Sequence, residues 1–63
     1  MRYYITNYDG IPLKEQPENG YTMTDAINRL NREAKTTARL FKIKESEAER
    51  NYHIVDENFK TIL

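Results

Sequence analysis

The sequence predicts an α+β fold in which one amphipathic helix lies on a small antiparallel sheet of three to four strands, ββαββ or ββαβ. Three observations predict it. Tyr3-Tyr4-Ile5-Thr6-Asn7-Tyr8 near the start and Tyr52-His53-Ile54-Val55 near the end are rich in aromatic and β-branched residues, types that suit a half-buried pleated surface. A turn signal follows each: Asp9-Gly10 and Asp56-Glu57-Asn58. Between them, residues 22 to about 41 repeat their apolar residues at helical spacing.

Residues 3–14 read as a β-hairpin. Asp9-Gly10 tolerates positive φ at both turn positions, which favours a type I′ turn. Ile11-Pro12-Leu13-Lys14 is then the return strand, and Pro12, which has no N–H, assigns it to a sheet edge. Gln16-Pro17-Glu18-Asn19-Gly20 carries loop punctuation. Thr22 is a helix N-cap, with Asp25 three positions on as in a capping box and Tyr21 placed to pack back on the first turn. Met23, Ala26, Ile27, Leu30, Ala34, Ala38 and Phe41 fall within an arc of about 120° on a helix. The same sequence leaves a rival reading open: a helix ending near Lys35 and a strand over Ala38–Lys44.

Glu45-Ser46-Glu47-Ala48-Glu49-Arg50-Asn51 is a loop or one extra helical turn capped by Ser46. Tyr52–Val55 is a strand, Asp56-Glu57-Asn58 a turn in which Asp bonds its own backbone, and Phe59–Leu63 a short last strand or apolar tail. Tyr4-Ile5-Thr6-Asn7 and His53-Ile54-Val55-Asp56 resemble each other faintly, each leading into a turn.

Sixty-three residues make one domain, residues 1–63, and so short a chain buries only about 60% of its extended surface. Folds of this size commonly need a staple. With no cysteine, disulfides and thiolate zinc sites are excluded, and one histidine needs several converging carboxylates to hold a metal. Good packing around the tyrosines and phenylalanines or self-association remains, so size alone leaves a homodimer open. The start has no apolar run like a signal peptide, and no stretch approaches the roughly 20 apolar residues of a membrane helix. A cytoplasmic location is expected. Ten basic and ten acidic residues cancel overall. Locally, residues 29–44 hold six cations and one acid, while residues 45–57 hold five acids and one cation.

No catalytic set assembles along the chain. Ser46, the only serine, lies in its most polar segment, and His53 alternates with Tyr52 and Ile54 as an ordinary strand residue. The acids at positions 45, 47, 49, 56 and 57 are accounted for by solvation and turns, and general acid–base work needs a pocket that separates their pKa values. Gly10 and Gly20 form no phosphate loop. No cofactor and no small-molecule substrate are expected, and no enzymatic activity.

Two features bear on partners. Arg29, Arg32, Lys35 and Arg39 (with Lys42) project from successive turns opposite the apolar arc, beside Asn28 and Asn31, a pattern able to meet phosphates or a major groove. The zero net charge opposes that reading, and the acidic 45–57 segment could fold over the face. Tyrosine is enriched at interface hot spots, and with Ile5 turned to the core, Tyr4 and Tyr8 lie on the open sheet face, with Tyr52 a third candidate. Such a face can hold a partner, a second copy or unstacked bases, or simply pack across strands.

Tyr-Ile-Thr-Asn-Tyr-Asp-Gly at the start, Thr-Met-Thr-Asp-Ala-Ile-Asn-Arg-Leu in the middle and Tyr-His-Ile-Val-Asp near the end resemble the small hairpin–helix–strand accessory and regulatory proteins of bacteriophages and mobile elements of Gram-positive bacteria. That resemblance implies a protein that works by binding, in some cases by blocking a host enzyme. It transfers no site residue, since the group shares no site motif. The expected function is a non-enzymatic binding module acting through a protein partner or itself. The alternative is nucleic-acid binding through the outer helix face.

Overall fold

In the computed structural model, which describes residues 1–63, the element order is β1 (Tyr4–Asn7), α1 (Met23–Phe41), α2 (Glu45–Ala48), a 3₁₀ turn (Glu49–Asn51) and β2 (Tyr52–Val55). The sheet has two strands, not three or four, and there are two α-helices, not one. β1 and β2 run antiparallel with Tyr4 opposite Val55, Ile5 opposite Ile54, Thr6 opposite His53 and Asn7 opposite Tyr52.

The outer limbs of both expected hairpins lie beside this pair without becoming strands, for local chemical reasons. On the β1 side the pairing is a single bridge, Thr6 to Pro12, where Pro12 has no N–H to give. Leu13 N donates to Ile5 O at 3.0 Å; Glu15 then turns away with a positive φ of 62°. The Gln16 side chain takes the place of a strand. Its Oε1 accepts from Ile5 N at 2.6 Å, and its Nε2 donates to Ile5 O at 2.9 Å and Leu13 O at 2.8 Å. On the β2 side a lone bridge joins Val55 to Thr61. Ile62 N and Leu63 N both donate to Ile54 O, at 2.7 and 3.3 Å, a crowding that breaks the ladder.

The first turn is not type I′, because only Gly10 has positive φ and Asp9 does not. Asn7 Oδ1 accepts from Asp9 N and Ile11 N, at 2.9 and 3.0 Å. That bonding favours a three-residue loop with glycine in the left-handed position. The second turn repeats the pattern. Asp56 Oδ1 accepts from Asn58 N and Lys60 N at 2.8 and 2.9 Å, and Phe59, at φ 59°, stands where Gly10 does.

The 19 residues of α1 begin after Thr22, whose Oγ1 accepts from Asp25 N at 3.2 Å. Only this half of the capping box forms. The strand alternative for residues 38–44 is excluded, since the helix runs to Phe41. Lys42 enters the left-handed region at φ 55°, and Ile43 N donates back to Ala38 O at 3.0 Å, a Schellman-type ending. The left-handed position is filled by a lysine where glycine is usual, so no stop signal is legible at that position.

Nineteen helical residues extend about 28 Å, while four strand residues cover only about 13 Å. The helix therefore overhangs the sheet and has two small cores. Ile5, Ala26 and Ile54 form the first, flanked by Tyr3, Leu13, Tyr21, Met23, Leu30 and Tyr52. Ala34, Ala38 and Ala48 form the second, flanked by Ile43. The acidic segment thus folds as α2 plus the 3₁₀ turn and meets α1 through Ala48. Its N-cap is Lys44 with no side-chain bond, so Ser46 is not the cap.

Candidate functional site

The overhang creates a cleft where α1 leaves the sheet. It measures about 470 Å³ and is lined by Asn7, Tyr8, Asp9, Thr37, Phe41, Ile43, Asn51 and Tyr52. Each wall follows from the local fold. The Asn7 side-chain bonds present Tyr8 and Asp9 at the tip of the first loop. The Schellman ending folds Ile43 back toward the second core. The 3₁₀ turn delivers Asn51 and Tyr52, and the Tyr52 and Thr37 hydroxyls are hydrogen-bonded at 2.6 Å, joining β2 to the helix.

Phe41 belongs to the helix's apolar arc, yet it is 71% exposed because neither the sheet nor α2 reaches it. Tyr8 is also 71% exposed, with its ring tilted 32° to that of His53 at 6.1 Å. Two large aromatic side chains thus stand in water on the walls of one cleft.

Of the three tyrosines expected to meet a partner, Tyr8 and Tyr52 line this cleft and Tyr4 does not. Tyr4 stacks on Phe59 at 6.0 Å, and its hydroxyl donates to Glu18 O at 3.1 Å. It is half-buried and ties a loop and the tail to β1. On that same sheet face Thr6 and Val55 are buried, although the helix packs on the opposite one.

The four basic residues do not form one surface. Arg29 is turned inward, with its side chain only 13% exposed. Its Nε donates to Glu33 Oε1 at 2.9 Å, Nη1 to Tyr21 Oη at 2.8 Å and Glu15 O at 3.0 Å, and Nη2 to Lys14 O at 3.1 Å. Burial is the largest single influence on its pKa and acts to lower it. The hydrogen bonds and charge of Glu33 and Tyr21 together outweigh burial, so the net shift is upward. The guanidinium fastens the 14–16 loop to α1, which leaves it unfree for phosphate. Arg32 borders a polar groove with Glu15, Tyr21, Arg29, Glu33 and Thr36. Lys35 and Arg39 border another with Ala38, Ile43 and Glu45.

The acidic segment leaves these cations unpaired. Arg29–Glu33 is the only ion pair in the protein. No cluster of His, Asp and Glu is arranged to hold a metal ion, and every buried side-chain nitrogen or oxygen has a hydrogen-bond partner. His53 lies beside Tyr8, and Ser46 is exposed on α2. No helix is long and apolar enough to cross a membrane.

Sequence reasoning did not identify Phe41, Ile43 and Asn51 as site residues. The available signal was the mismatch in length between a five-turn helix and four-residue strands, which leaves the last apolar residue of the arc uncovered. Arg29 also carried a signal: on the helix it lies beside the edge of the apolar arc, where a long side chain can bury its stem. No protein-family model, curated protein or solved structure matches this chain.

Proposed function

We propose that this protein is a non-enzymatic binding module that holds a protein partner in the cleft of Tyr8, Phe41, Ile43 and Tyr52. The observation that carries this reading is the joint exposure of Tyr8 and Phe41 on one preformed cleft. Aromatic side chains exposed at a concave site are typical interface anchors, since they bury large area at small entropic cost. The resemblance to small accessory proteins of phages and mobile elements implies the same kind of work. A photoreactive benzoylphenylalanine at position 41 tests it in cells, with one at Arg32, on the far side of α1, as control. A discrete adduct from position 41 alone supports the cleft. Equal adducts from both positions, or none, remove it. Light scattering across concentrations separates a second copy from a different partner.

A second reading keeps nucleic acid, now through Arg32, Lys35 and Arg39. Its support is that these three side chains are exposed and form no ion pair. Three phosphate contacts give a log–log salt slope of about −2.5, so anisotropy titrations at two salt concentrations decide. Absence of binding at about 50 mM salt, or binding indifferent to salt, ends this alternative.

A further inference from the structure

The apolar cleft does not stand alone. Ile43 lines it on one side and also lines the neighbouring groove of Lys35, Ala38, Arg39 and Glu45, itself about 470 Å³. Ile43 is half-buried against Ala34, Ala38 and Ala48, which makes it a fixed wall between the two. Lys35, Arg39 and Lys42 follow one another at spacings of four and three, so they form one ridge of α1, running toward the apolar cleft.

We infer that the partner's docking segment is acidic beside an apolar anchor, one peptide filling both clefts across Ile43. This rests on the cleft reading above and specifies the partner's chemistry. Lys35 and Arg39 line the joined clefts, and the exposed Lys42 and Lys44 stand on either side of Ile43 in the chain, against the lining acids Glu45 and Asp9. None of the four cations is in an ion pair. A helix C-terminus favours cations by itself, which accounts for Arg39 and Lys42. Lys35, nearly two turns before the helix end, has no such local reason.

Charge complementarity therefore selects an acidic segment. A duplex phosphate backbone would leave Tyr8 and Phe41 unused, and the half-buried Ile43 between the clefts offers an apolar wall to a side chain, not a stacking face to a base. Spacing follows from geometry. Lys35 and Phe41 are six residues apart, about 9 Å along the helix axis and about 120° around it, so their side chains stand about 11–14 Å apart. An extended peptide crosses that in about four residues. The matching motif is one large apolar residue with Asp or Glu within about four positions.

Selection of a displayed random-peptide library on the full chain tests this. Wild-type protein should enrich peptides carrying a Phe, Tyr, Trp or Leu with flanking acids at that spacing. Their affinity should fall about tenfold in Lys35→Gln/Arg39→Gln, and further in Lys35→Glu/Arg39→Glu. The neutral pair separates lost attraction from any weakening of the helix end by charge reversal. Phe41→Ser should abolish enrichment while leaving the circular dichroism unchanged. Enriched peptides that depend on Phe41 but are neutral or basic would overturn the acidic partner and leave the cleft reading standing. Enrichment that survives Phe41→Ser, or none at all, overturns both.

Discussion

A few polar side chains hold loops that a core of this size cannot. Arg29 spends four hydrogen bonds on two loop carbonyls, one hydroxyl and one carboxylate. Arg29→Ala leaves the partly buried Glu33 carboxylate and Tyr21 hydroxyl without this donor, while water can replace it at the two exposed carbonyls. The change should cost about 1–2 kcal/mol in urea unfolding. Arg29→Lys should recover only part of that, since an ammonium cannot reproduce the fork. The sign of the pH effect follows from the raised pKa. A cation raised in the folded state contributes fully below its unfolded pKa and is lost as pH rises through its folded one. Both values are strongly alkaline, so the Arg29→Ala deficit should be equal at neutral and mildly alkaline pH. A deficit that shrinks over that window would contradict the assignment. The two glycines should also differ. A Cβ at Gly20 meets Arg2 Cβ at 2.9 Å, Tyr3 O at 3.0 Å and Tyr4 Cζ at 3.1 Å, whereas one at Gly10 meets nothing within 4 Å. Gly10→Ala should cost about 1 kcal/mol, for its positive φ alone, and Gly20→Ala about 2 kcal/mol or more. Equal costs in thermal melts would refute the close approach.

Among the elements, α1 depends on two different supports. Its N-terminal half rests on the sheet, and its C-terminal half on Ala48 of α2 with Ile43 beside it and the Thr37–Tyr52 hydrogen bond to β2. Ala48→Asp places a charge in that contact without a partner, a cost of several kcal/mol. Amide exchange should then speed up over Thr36–Phe41 while the first turns, still held by Thr22 and the sheet, remain protected. Uniform acceleration along α1 would show that the helix behaves as one unit. The same change should weaken the candidate cleft, because Ile43 and Phe41 are positioned by the helix ending. The two turns are matched at this scale. The Asn7 and Asp56 side chains each bind the amides two and four residues on. The faint likeness of Tyr4–Asn7 to His53–Asp56 was legible in the sequence. Its consequence, the same loop geometry with Gly10 in one and Phe59 in the other, was not, because Phe59 rarely takes a left-handed φ.

As a whole the molecule measures 34 × 19 × 17 Å with a radius of gyration of 11.1 Å, close to the roughly 11 Å of a compact chain this long. Its long axis is set by the helix. Four of the seven fully buried hydrophobic residues are alanines, so little apolar area leaves water. An unfolding free energy of about 2–4 kcal/mol is expected, below the usual range. If a second copy fills the cleft, the urea midpoint should rise with protein concentration; a midpoint independent of concentration assigns the cleft to another partner. The sequence by itself determined the central helix, its Thr22 start, its inward arc from Met23 to Ala38 except Ile27, which is 39% exposed, and strand segments near both ends. These rest on periodicity and capping, which act within a few residues. Only the tertiary structure decided that the outer hairpin limbs stop short of being strands, that Arg29 turns inward, that the acidic segment packs as a second helix, and that Phe41 faces water. Each of those depends on which distant group meets a given side chain or amide: Gln16 against Ile5, Glu15 and Tyr21 against Arg29, Ala48 against Ala34. Spacing along the chain does not encode such meetings.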